Sequence, residues 1–198
     1  MQGIQLREGL REIQKTFIYS LVAFLAIAFF SGLALKKWEP FIQDFVQSFV
    51  EGKEDLFSID GQLLALGLFK NNLKAAFYSF ALGLIPFLFL PGFSIAINAV
   101  VIGAVYIFIS SSLSVFTYIL VLLPHGIFEI PAFLLAASSG IYFCRELTRK
   151  ILRRPHGDVK QLLFRQAQVF VFLVVPLLVL AAFIESYISP LIMLRLMG

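Results

Sequence analysis

The sequence predicts an all-α fold: a polytopic membrane helical bundle of about five transmembrane helices, with a broken or kinked fourth span. Three observations predict it. The 198 residues are 60% hydrophobic and 14% charged, with mean hydropathy +0.91, which is more apolar surface than a soluble domain of this length can hide. The apolar residues come in long continuous runs and do not alternate. In lipid every backbone N–H and C=O needs an internal partner, so such runs read as helices and not as barrel strands. Finally, Arg145, Arg149, Lys150, Arg153, Arg154, Lys160 and Arg165 crowd one short loop, the signature of a cytoplasmic connection.

Along the chain, residues 1–16 place Ile4, Leu6, Leu10 and Ile13 near helical spacing among charged residues. This reads as a short amphipathic helix on the inner membrane surface. The first span is about 17–35. Its apolar run exceeds the roughly 7–15 residues of a signal-peptide core, so it reads as uncleaved. An outer segment, 36–72, holds Trp38 at interfacial depth, an amphipathic stretch from Phe41 to Val50, and the acids Glu51, Glu54, Asp55 and Asp60. Asn72 reads as the N-cap of the second span, about 73–90, which the turn signal Pro91-Gly92 ends.

The third span is about 94–112 and the fourth about 116–143. Pro124 and Pro131 interrupt the fourth, leaving residues 113–123 re-entrant, interfacial or part of the span. The basic loop 144–168 follows, with Asp158 placed to cap a helix leading into the last span, about 169–188, which Pro176 should kink. Residues 1–198 read as a single transmembrane domain. With the N-terminus and the basic loop both inside, four crossings separate them and a fifth places the C-terminus outside, making a multi-pass protein of the cell membrane.

The chemistry is sparse. Cys144 is the only cysteine, so no intrachain disulfide or zinc set is available, and no metal or cofactor is expected. There is no GxxxxGK[ST], GxGxxG or HExxH motif. The basic loop reads as facing anionic lipid and not nucleic acid. Six polar residues in apolar surroundings are the candidates for contact with a partner or substrate: Asn71, Asn72, Asn98, His125, Glu129 and Glu185.

His125 and Glu129, four apart, share a helix face. Pro124, Gly126 and Pro131 are the helix-break residues around them, and each proline frees a backbone carbonyl. That combination suits an intramembrane site, a partner contact, or simply a hydrogen-bonded kink. Asn71 and Asn72 can cap a helix or bond another one. Asn98 suits an interhelical hydrogen bond, and Glu185 either pairs or is hydrated near the outer interface. Small residues recur every four positions at Ala75, Ser79 and Gly83, and again at Ala132, Ala136 and Gly140; with Gly103 they are the expected helix-packing positions. The second and fourth spans should meet through them, within one chain or across a homodimer.

Taken together, Asn71-Asn72, Gly83, Asn98 with Gly103, Pro124-His125-Gly126 with Glu129 and Pro131, Gly140, and the ending Ala182-Phe183-Ile184-Glu185 resemble the stage II sporulation protein M family of integral membrane proteins. The likeness covers about residues 65–190, and one departure is Ala99, where the family usually has Gly. The resemblance implies five spans and, in spore formers, a non-enzymatic scaffold for peptidoglycan-remodelling partner proteins in the cell envelope; many relatives belong to organisms that do not form spores. Two other readings stay open at this stage. One is a small-solute or ion transporter or channel component using the broken fourth span. The other is an intramembrane hydrolase with Glu129 or His125 as base, for which no nucleophile is evident near the motif.

Overall fold

The structure, a computed structural model, describes residues 2–44, 65–110, 115–154 and 157–188, with side-chain surroundings for 5–44, 65–107, 126–154 and 157–188. Every regular element among them is helical. Helix α1 (Gln2–Leu35) passes through a 3₁₀ turn at Lys36–Trp38 into a further helical stretch, 39–44. The surface helix expected at 1–16 is therefore not a separate element. No proline or glycine interrupts residues 10–31, and one buried stripe, Gly9, Ile13, Ser20 and Phe24, runs across the proposed boundary. The stretch 45–64, with most of the expected outer amphipathic helix and the acidic run, lies outside the described residues.

Helix α2 (Ala65–Ala81) tightens into a 3₁₀ turn at Leu82–Leu84. It starts and stops earlier than the predicted span 73–90, so Asn72 sits in mid-helix and is not a cap. The stop has a local cause: Pro86 disfavours helical geometry at the residue before it, and Ile85 is extended (φ −92°, ψ 107°). An irregular apolar loop follows, with Phe87 and Phe89 at positive φ. Helix α3 (Leu90–Ser110) takes Pro91 into its first turn, where the missing N–H is harmless, so Pro91-Gly92 begins this helix instead of separating two spans.

Helix α4 (Val115–Ile151) is continuous through Pro124, Gly126 and Pro131. Of the two expected alternatives, a broken or a kinked span, the break is absent: a helix packed among neighbours in lipid tolerates proline where the freed carbonyls find other partners. It closes with Arg153 N–H bonded to the Lys150 carbonyl (3.1 Å) and Arg154 N–H to the Arg149 carbonyl (2.9 Å). This is a Schellman cap with Arg153 (φ 54°) in the left-handed position that glycine favours. Helix α5 (Val159–Ile188) starts at Asp158, whose carboxylate accepts from the Lys160 and Gln161 N–H groups (2.9 and 3.4 Å). It widens into a π-turn at Phe170–Val174 just before Pro176, and into another at Ile184–Ile188.

Among the described residues, four helices are long and apolar enough to cross a membrane: Gln5–Asp44, Leu90–Ile107, Gly126–Ile151 and Val159–Ile188. About five were expected. The remaining one, α2, is described from Ala65 onward and carries Lys70 and Lys74. It nevertheless packs inside the bundle, parallel to α4. Asn72 bonds Glu129, and Gly83 abuts Gly140 eleven residues further along both helices, at the same 57-residue offset.

Helices α1 and α3 are also parallel, with Phe24 against Ile95 and Ala99, and Gly32 against Gly103. Glycine is required at these crossings. A Cβ on Gly83 would overlap the Gly140 backbone, and one on Gly103 would lie 2.7 Å from the Ala28 carbonyl oxygen. With little hydrophobic drive between helices in lipid, such close backbone approach supplies the packing attraction. Two apolar clusters fill the interior: Phe24, Ile95, Ala99, Phe133, Leu134 and Ala137 between α1, α3 and α4, and Ala76, Ala132, Ala136, Val174 and Leu178 between α2, α4 and α5.

Candidate functional site

Two polar centres lie at different depths of this bundle. The first joins α2 to α4. Asn72, only 7% exposed, donates from Nδ2 to Glu129 Oε2 at 2.5 Å, and Asn71 Nδ2 donates to Asn72 Oδ1 at 3.2 Å. The parallel register of α2 and α4 brings these residues together. An amide donor to a carboxylate is a charge-assisted bond when Glu129 is ionised, and it offsets part of the desolvation that a carboxylate meets in a bundle.

His125 precedes Glu129 by one turn of the unbroken α4; its side chain and that of Pro124 lie outside the described residues. Gly126 and Pro131 are half-buried on the same helix. Glu185 is half-buried in the second π-turn of α5. Below it, Leu68 of α2 packs with Ala182 of α5, so Glu185 sits toward the end of the bundle that holds the start of α2. Asn98 donates back to the Ser94 carbonyl of its own helix (2.9 Å) and makes no bond to another helix among those described.

The small-residue stripes meet as follows. Ala132, Ala136 and Gly140 are buried on α4, with Ser79 and Gly83 facing them from α2. Ala75 is exposed, and Ala76 holds the buried position instead. A spacing of strict fours drifts around a helix of 3.6 residues per turn, so the buried line runs Leu68, Asn72, Ala76, Ser79, Gly83.

The second centre, at the basic end, was not singled out from sequence. Arg165 of α5 pairs with Glu12 of α1 (Nη2–Oε1 2.5 Å, Nε–Oε2 3.3 Å) and lies 3.7 Å from Glu8. Gln166, fully buried, donates from Nε2 to the Gly9 carbonyl (3.3 Å) and to Glu12 Oε2 (3.1 Å). Gly9 permits the approach, since a Cβ there would stand 3.0 Å from Val169 Cγ2. Nearby on α4, the buried Glu146 accepts from Arg145 Nε and Arg149 Nη1 (both 3.2 Å) and from the Gly157 N–H (3.4 Å). The available signal was Leu162, Gln166 and Val169 at helical spacing, which places Gln166 on an apolar face.

Between the two centres lies the cluster of Ala76, Ala132, Ala136, Val174 and Leu178, all wholly buried. The arrangement couples helices by hydrogen bonds at these two levels, and in the stretch of α4 between them Ser138 Oγ donates to Ser20 Oγ of α1 (3.3 Å). Among the described residues no three His, Cys, Asp or Glu side chains gather in a metal-holding group.

A family model described as Stage II sporulation protein M matches residues 16–190. Among curated proteins, the chain is similar to two uncharacterized proteins of Methanocaldococcus jannaschii. It is 26% identical to one over 195 residues, covering 91% of this chain and 87% of that relative. It is 32% identical to the other over 126 residues, covering 61% of this chain and 67% of that relative. No solved structure matches.

Proposed function

The chain belongs to the stage II sporulation protein M family, and from that premise we propose that this multi-pass membrane protein is a non-enzymatic scaffold that positions partner proteins, peptidoglycan-remodelling enzymes among them. The observation that carries the reading is the use made of the Asn71-Asn72 and Glu129 polar groups. They join α2 to α4 by side-chain hydrogen bonds, a use of in-membrane polar groups that serves helix packing. In this reading the basic loop faces the cytoplasm, the N-terminus is inside and the C-terminus outside, as the charge bias favours.

The test is crosslinking in intact membranes followed by affinity capture of the tagged full chain. A reproducible set of envelope proteins, reduced when Asn72→Leu loosens α2 from α4, is the expected outcome. Capture of no stable partner overturns the scaffold.

A transport role has one observation in its favour, the half-buried Glu185 within a π-turn, a local geometry frequent at functional sites. Solute or ion flux into liposomes that falls with Glu129→Gln or Glu185→Gln supports it, and flux indifferent to both variants removes it.

A further inference from the structure

Backbone strain among the described residues is concentrated in one corner of the bundle. Three non-glycine residues have positive φ: Phe87 (71°), Phe89 (46°) and Arg153 (54°). Bulky side chains disfavour this conformation, and it persists where surrounding structure enforces it, often at functional positions. The first two belong to the apolar loop after α2. The third caps α4.

The loop is pinned to that end of α4: the Phe87 N–H donates to Thr148 Oγ1 (2.9 Å), and Cys144 Sγ donates to the Ile85 carbonyl (3.3 Å). The loop's apolar side chains are nonetheless turned outward. Ile85, Phe87, Leu88 and Phe89 are all exposed, as are Ile151 and Leu152 at the end of α4. Beside them the exposed Lys150 and Arg153 stand on the last turn of α4 and its cap. Glycine is the favoured residue at the cap position; an arginine there keeps a positive charge at the expense of backbone comfort.

We propose that this corner is a binding site for an anionic phospholipid of the adjacent leaflet. Acyl chains lie on the loop's outward Phe and Leu side chains, and the headgroup phosphate lies against Lys150 and Arg153. The argument is one of complementarity. An irregular loop this apolar is unsuited to water, while a cationic helix end is unsuited to the hydrocarbon core. A ligand that is apolar along its length and anionic at its head satisfies both. The proposal is independent of the scaffold reading.

The test uses the chain's single tryptophan, Trp38, which lies at the far end of α1. A Trp38→Phe, Leu88→Trp variant of the full chain is reconstituted into phosphatidylcholine vesicles doped with either brominated phosphatidylglycerol or brominated phosphatidylcholine, and quenching is compared. The expected result is at least about a fivefold preference for the anionic lipid at position 88, since each of the two basic residues is attracted to an anionic surface by about 1 kcal/mol, or about fivefold. Trp38 in the unmodified chain should show no preference. Adding Lys150→Gln and Arg153→Gly should abolish the preference. These two changes leave the Arg145 and Arg149 pairs with Glu146 intact, and the second relieves strain, so loss of folding is not the expected cause; far-UV circular dichroism verifies it. Equal quenching by both lipids, an equal preference at Trp38, or a preference that survives the double substitution overturns the site.

Discussion

At the level of single residues, the contact that matters most is the bond from Asn72 to Glu129. Interhelical polar contacts in bilayers average about 0.6 kcal/mol and reach about 1.7 kcal/mol. A carboxylate acceptor puts this one toward the upper end. A double-mutant cycle on Asn72→Leu and Glu129→Leu, read by reversible unfolding in mixed micelles, should give a coupling of about 1–2 kcal/mol. Glu129→Gln keeps an acceptor in place and should lose less than half of that. A coupling indistinguishable from zero means the pair is incidental to α2–α4 packing. Sequence alone showed both partners as polar residues in apolar surroundings. It could not pair them, because 57 residues separate them and only the parallel register of two helices closes that gap. The reading of Asn72 as a cap failed for the same reason: packing extends α2 back to Ala65, beyond where capping propensity alone would begin it.

Among the described residues, glycine contacts and the Arg165 ion pairs are two of the ways in which elements are joined. Gly83→Val should destabilise the bundle by at least about 1–3 kcal/mol, since its side chain would enter the Gly140 backbone. Gly92→Ala has nothing within 4 Å of its new methyl and should be neutral or stabilising by up to about 1 kcal/mol. Thermal unfolding of the two variants in one detergent measures the contrast; similar melting temperatures would count against the close α2–α4 crossing. At the basic end, Arg165→Gln removes the cation that pairs with Glu8 and Glu12 and leaves Glu12 with Gln166 alone; it should cost about 1.5–3 kcal/mol, the range for charge-assisted hydrogen bonds. Its readout is local. Trypsin should cut faster at Arg7, Arg11 and Lys15 while the rest of the chain stays protected, and unchanged cleavage rates would mean that α1 is held by its apolar stripe alone.

For the whole molecule, the outstanding arrangement is the side of the membrane on which the basic end lies. A membrane-impermeant maleimide should label Lys160→Cys only after cells are permeabilised, and labelling from outside would invert the topology. The native Cys144 is wholly buried, so it should stay silent and leave the introduced thiol as the sole reporter. The lipid solvent, the helical class, the apolar runs and the kinship with the stage II sporulation protein M family were determined by the sequence itself. Hydropathy and backbone hydrogen bonding in oil leave few alternatives, and the Pro124-His125-Gly126 to Glu129 pattern is local in the chain. The tertiary structure decided the rest. It carried α4 unbroken through Pro124 and Pro131 and fused residues 2–16 into α1. It placed Ala76, not Ala75, in the α2–α4 contact, and it assembled Glu12, Arg165 and Gln166 from the two ends of the chain. Each outcome depends on which neighbour satisfies a freed carbonyl, fills a groove or answers a charge. Those neighbours are distant in sequence and become adjacent only when the helices pack.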